Sequence, residues 1–123
     1  MRVFVCSPLR ASADRTEDFN KSLAKKMCQL ALERGYSPFA PHLLYTQFLD
    51  DSVESERTAG IKAGIDFLAA CDEMWILVPP EGMTKGMVAE YEWTMDNKPS
   101  MTYKVFGLKG DQILPPDDEV AVS

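Results

Sequence analysis

At 123 residues the chain has the length of one domain, and its 46% hydrophobic and 26% charged residues are those of a globular protein rather than a disordered one. A net charge of −6 argues against the basic face that nucleic-acid polymers and anionic membranes require. It leaves room for a small anionic ligand held by one local cation.

No apolar run approaches the ~18 residues of a membrane span, so no membrane association is expected. Cys6, Cys28 and Cys71 are odd in number and widely spaced. With no Cys-x-x-Cys and no Cys/His cluster, neither a zinc site nor a disulfide framework is expected, and no metal is called for. Free thiols suit a reducing cytoplasm, which is the expected location.

Taken in chain order, Arg2-Val3-Phe4-Val5-Cys6 reads as a buried strand rather than a secretory signal, and Ser7-Pro8 turns the chain after it. Asp14 and Glu17 have the spacing of a capping box. Phe19, Leu23, Met27, Leu30 and Ala31 recur at three- and four-residue intervals, which predicts an amphipathic helix that Gly35 ends. Ser37-Pro38-Phe39-Ala40 is a short second strand between prolines. Residues 42–53 connect it, with some helical character, to a second helix over 54–70 whose Ile61, Ile65 and Leu68 face inward. Gly60 and Gly64 weaken that helix and let it approach a neighbour closely.

Met74-Trp75-Ile76-Leu77-Val78 is the clearest strand, five apolar residues in a row as in a parallel strand covered on both faces. A loop over Pro79-Pro80-Glu81-Gly82, a helix over 86–97 and a last strand over 101–106 follow. Residues 107–123, with Pro115, Pro116 and three acids behind them, read as a loosely ordered tail outside a domain spanning 1–106.

This alternation predicts an α/β domain. It is a three-layer, open, mostly parallel sheet of four to five strands in the flavodoxin or Rossmann style, with helices on both faces. Ligands of such sheets bind past the carboxyl ends of the strands, where the strand order switches. The loops 7–14, 41–51 and 79–86 are expected to meet there.

Two of those loops carry candidate chemistry. Cys6-Ser7-Pro8-Leu9-Arg10 leads toward a helix N-terminus, and a hydroxyl and a guanidinium there suit a phosphate or carboxylate; a plain turn with an exposed arginine is the alternative. No Gly-x-Gly-x-x-Gly or Walker pattern is present, so neither an ATPase nor a dinucleotide enzyme is expected. In Glu81-Gly82-Met83-Thr84-Lys85-Gly86-Met87-Val88-Ala89-Glu90-Tyr91-Glu92, only one of Glu90 and Glu92 can face a cleft, and periodicity does not choose between them. Tyr45 and Phe39 are placed either to stack on a nucleobase or to fill the core. Arg57 begins the second helix and either pairs with Asp50 or Asp51 or reaches a ligand.

The Ser-Pro-x-Arg loop, the Cys71-Asp72-Glu73 step into an apolar strand, Pro41-His42-Leu43-Leu44-Tyr45 and above all Gly86-Met87-Val88-Ala89-Glu90 resemble the nucleoside 2-deoxyribosyltransferase-like superfamily. That superfamily includes the 2′-deoxynucleoside 5′-phosphate N-hydrolases, and the likeness is closest to its small phage and bacterial members. It covers most of residues 2–105. It implies N-glycosidic bond cleavage or transfer on a nucleoside or nucleoside 5′-monophosphate, with no organic cofactor and a homo-oligomeric assembly. Glu90 matches the nucleophile that attacks C1′ of the sugar. Thr84 stands where the transferases have an Asp for the 5′-hydroxyl and the nucleotide hydrolases a Ser for the 5′-phosphate. Ser7, Pro8, Arg10, Gly86, Met87 and Tyr45 complete the implied substrate site.

One departure bears on catalysis more than on binding. The superfamily places a catalytic Asp eight residues before the Asp that enters the strand, and here that position is Gly64. Asp66 and His42 are the candidates to assist the leaving base. A non-catalytic nucleotide-binding module of the same fold is the alternative function.

Overall fold

The computed structural model describes residues 1–116. In chain order it forms β1 (Arg2–Cys6), α1 (Glu17–Glu33), β2 (Ser37–Phe39), α2 (Pro41–Leu44) with a 3-10 turn at Tyr45–Gln47, and α3 (Glu54–Ala69). Next come β3 (Glu73–Val78), α4 (Lys85–Asn97), β4 (Thr102–Lys109) and β5 (Gln112–Leu114). The sheet order is β2-β1-β3-β4-β5. The first four strands pair in parallel, and β5 returns antiparallel to β4. The expected α/β architecture with an open, mostly parallel sheet is present.

Successive side chains of a strand point to opposite faces, and β1 from Val3 and β3 from Met74 are apolar on both. Val3, Val5, Trp75 and Leu77 go to one face, where they meet Leu23, Ala24, Met27 and Ala31 of α1. Phe4, Cys6, Met74 and Ile76 go to the other, where they meet Leu68 of α3 and Met87 of α4. One helix therefore covers one face and two cover the other, giving three layers. Gly64 is buried on α3, where a Cβ would stand 3.6 Å from Pro41 of α2, an ordinary contact distance.

The strand order reverses between β1 and β3. At their amino ends Glu73 is buried as a carboxylate that accepts from the Tyr36 hydroxyl at 2.9 Å and from Trp75 Nε1 at 3.0 Å. The Lys104 ammonium lies 5.5 Å over both aromatic rings. That end of the sheet is closed by its own side chains.

Both edges are short. Pro38, opposite Val3 in β2, has no N–H to offer a further strand. At the other edge β4 runs on to Lys109, turns through Gly110 at φ +63° and returns as the three-residue β5. The sequence reading expected a loose tail from 107. Residues 107–114 are instead a hairpin, because Leu108 and Ile113 reach the core that α1 covers. Residues 117–123 lie outside the described part of the chain.

The start of α1 also differs from expectation. Its N-cap is Thr16, whose hydroxyl accepts from the Phe19 amide at 3.0 Å, and not Asp14. Glu17 and Asp18 then lie in the first turn, where the helix dipole favours acids. Thr16→Ala should cost about 1 kcal/mol of stability in urea unfolding, while Asp14→Ala should stay within ~0.5 kcal/mol.

Candidate functional site

The loops after β1, β2 and β3 converge at the carboxyl end of the sheet. The first is fixed from both sides. The Arg15 guanidinium pairs with Glu81 of the third loop and donates to Asn20 Oδ1 at 3.2 Å. Asn20, fully buried on α1, donates to the carbonyls of Leu9 at 3.1 Å and Arg10 at 3.0 Å. On the other side Arg10 pairs with Asp51 at 3.0 Å, and His42 Nε2 lies 2.8 Å from the Ser7 carbonyl. A carbonyl only accepts, so His42 carries its proton on Nε2 and donates it there.

Two connected hollows open between these loops and α3. The inner cleft, about 60 Å³, is lined by Leu9, His42, Tyr45, Gly60 and Ile61 and reaches Glu90. The outer recess, about 710 Å³, is walled by Arg10, Glu17, Asp50 and Ser52. Thr46, Leu49, Asp51 and Arg57 line both. The inner cleft holds the equivalent of roughly two waters, so a ligand larger than that extends into the recess.

Glu90 sits in the second turn of α4, whose N-cap Thr84 accepts from the Met87 amide at 3.2 Å. Burial of its carboxyl pushes the pKa up to about 7, and a hydrogen bond from the Cys6 thiol pulls the other way. Cys6 ends β1 fully buried, its sulfur also 3.8 Å from the Met87 carbonyl. Burial first, and then the Glu90 charge, hold the thiol well above its ordinary range. It is therefore a proton donor beside the carboxyl and not a nucleophile.

His42 is held neutral, because desolvation lowers its pKa more than the Ser7 carbonyl and Asp51 raise it. Its N–H is committed to the Ser7 carbonyl, which ties α2 to the first loop. Tyr45 turns its ring edge to Phe39 at 6.2 Å and to Phe48 at 6.0 Å. Burial, and after it the Asp66 charge, raise its phenol pKa.

Of the residues singled out in the sequence, Glu90, His42 and Tyr45 line the cleft and Arg10 lines the recess. Asp66 is exposed on α3 and lines neither hollow, because two helical residues from buried Gly64 put it on another face. Ser7 is buried with its hydroxyl unpartnered among the described residues. Ser7, Pro8, Thr84, Gly86 and Met87 lie beside the hollows without lining them, Thr84 as a helix cap and Met87 as core. Arg57, whose alternatives were a pair with Asp50 or Asp51 or a reach to a ligand, lines both hollows. Glu56, Gly60 and Ile61 line the inner cleft and were not selected as site residues, although their four- and five-residue spacing along the first turns of α3 was the available signal.

The fold is shared with solved proteins. A 2-deoxyribosyltransferase from the psychrotolerant bacterium Bacillus psychrosaccharolyticus superposes with a TM-score of 0.69 at 14% identity, over 89% of this chain and 74% of that one. No curated protein matches the chain. Its open sheet and that superposition define a deoxyribosyltransferase-like, Rossmann-like fold. Within it, the chain belongs to the family described as a domain of unknown function, DUF7768, whose model matches residues 1–104. Among the described residues no helix is long and apolar enough to cross a membrane, and no group of His, Cys, Asp and Glu is placed to hold a metal.

The raised Glu90 pKa has a consequence for stability. Between the unfolded value of 4.5 and about 7 the folded state holds the extra proton, so rising pH across that window destabilises the fold, and the loss is complete above it. Glu90→Gln removes this penalty. Its melting temperature should match wild type near pH 4.5 and exceed it at pH 8, by the equivalent of up to roughly 3 kcal/mol.

Proposed function

We propose that the protein breaks or transfers the N-glycosidic bond of a nucleoside or nucleoside 5′-monophosphate, with Glu90 as the nucleophile. The observation that carries this reading is the Glu90 carboxyl at the floor of the inner cleft, at the switch between β1 and β3. The superposed neighbour is a 2-deoxyribosyltransferase described as a biocatalyst for nucleoside synthesis, and that likeness of fold supports a nucleoside as the ligand proposed for this cleft.

In the proposed reaction a Glu90 oxygen bonds to C1′ as the C1′–N bond breaks. The electron pair leaves with the base, which takes up a proton. Water or a second base then attacks C1′ and frees the carboxylate. The intervening sugar is cationic, and a carboxylate in a poorly solvated cleft stabilises that charge strongly. Attack requires the ionised form, so turnover rises with pH through about 7 and levels above it. The hydroxyl of Ser7 and the guanidinium of Arg10 remain the proposed grips at the phosphate end, Thr84 shaping the loop that faces them.

One observation favours a second reading. Asp66 lies off the cleft and the His42 N–H is committed to Ser7, so neither stands ready to protonate a leaving base. A non-catalytic nucleotide-binding module would need no such group. Self-association belongs to the same proposal: Ile61 and Phe67 on α3 and Val88 and Met95 on α4 are exposed apolar side chains on the helices expected to meet another copy.

Incubation with ribo- and deoxynucleosides and their 5′-monophosphates, followed by chromatography for free base, tests the reading. Release should fall by on the order of 10³-fold or more in Glu90→Gln and persist in Asp66→Asn. A protein that binds one of these compounds and releases no base is the binding module.

A further inference from the structure

The charged side chains around the two hollows are unequally satisfied. Asp51 is paired with Arg10 at 3.0 Å and Glu17 with Lys21 at 3.7 Å. Glu56 accepts from the Asp50 amide at 3.1 Å, and Asp50 accepts from the Ser52 amide at 2.9 Å and hydroxyl at 2.6 Å. Two groups are left. Glu90 has only the weak thiol donor of Cys6. The guanidinium of Arg57, a residue of intermediate burial, has no ion pair or hydrogen bond among the described residues.

A guanidinium carries five donors in a fixed fork, and where it meets a carboxylate or phosphate the contact is often bidentate. Arg57 has none, although Asp51 and Glu56 line the same cleft. It also lines both hollows, whereas Glu90 lines only the inner one. A ligand that lies across them meets a carboxyl at its inner end and an unmatched cation farther out. A sugar phosphate has the complementary charges: positive charge develops at the anomeric carbon, and the phosphate is anionic.

Resting on the glycosidase or nucleotide-binding reading above, we propose that Arg57 is the residue that selects a phosphorylated ligand, by direct contact with its phosphate. This assigns to α3 a role that the resemblance implied for the loops after β1 and β3, at Ser7, Arg10 and Thr84. Arg10 is the second cation within reach of the recess. Its pair with Asp51 is exposed, the arginine side chain at 61%, so it opens easily when a phosphate arrives. Arg57 has no such partner to give up and provides the standing attraction.

The test is calorimetric titration of wild type, Arg57→Gln and Arg57→Lys with the four 2′-deoxynucleoside 5′-monophosphates and with the same nucleosides unphosphorylated. Wild type should prefer a monophosphate to its nucleoside. Arg57→Gln should lose roughly 10- to 100-fold in affinity for the monophosphate, keep its affinity for the nucleoside, and so lose the preference. Arg57→Lys should recover part of it, since a lysine restores the charge without the fork. The lysine variant also guards against a folding defect, which would weaken both ligands in both variants. Equal losses for nucleoside and monophosphate, or no loss for either, overturn the assignment of Arg57 while leaving the nucleoside site standing. A wild-type protein that binds nucleosides without regard to phosphate does the same. A wild-type protein that binds none of the eight compounds overturns the functional reading and this inference together.

Discussion

The structure depends on one constraint: β1 is hydrogen-bonded on both sides and covered on both faces. Every residue from Val3 to Leu9 is buried. A strand in that position must be apolar through its buried length, as Val3 to Cys6 are, and its partner β3 meets the same demand with Met74 to Leu77. With both faces used for packing, polar function is possible only at the strand ends. At the amino end the molecule closes the space itself, with Tyr36 and Trp75 donating to Glu73. At the carboxyl end the converging loops enclose two hollows and leave Glu90 with a single weak donor. The two carboxyls differ in what surrounds them more than in how deeply they lie. One is satisfied by two good donors, and the other is held at a raised pKa in an open cleft.

The site is built from loops, and side-chain contacts tie the first of them down. The Asn20 side chain is spent on two loop carbonyls, Arg15 ties the same loop to the one after β3, and His42 holds it from the side of α2. The first loop is thereby held by contacts to its backbone. That leaves the Arg10 side chain on the wall of the outer recess, while Ser7 stays buried.

Much of this was legible in the residues. Alternating apolar runs and helical periodicities gave the order of elements, because burial on both faces of β1 and β3 leaves a strong local signal. The hairpin of β4 and β5 was not legible. Gln112 to Leu114 are strand only because β4 is there to pair with, and the glycines and prolines around them read as an end. The cap of α1 was displaced by two residues because Asp14 and Thr16 both qualify locally. At the site, Glu90, His42 and Tyr45 could be singled out from motif and resemblance, though not the role of His42, which rests on a contact to a residue 35 positions away. Helical phase puts Asp66 on another face of α3 from Gly64, and Arg57 gained importance only when the partners of its neighbours were known.

The two edges of the sheet bear on how the protein avoids its own copies. A free strand edge is a template for another strand, and an open five-stranded sheet has two. Here one edge strand is three residues long with a proline at its centre, and the other is a three-residue return strand. Neither offers enough consecutive amides to nucleate a growing cross-strand stack. The sheet is in effect insulated against edge-to-edge polymerisation, and contact between copies is directed to the helical faces, where side chains rather than backbone decide which surfaces fit.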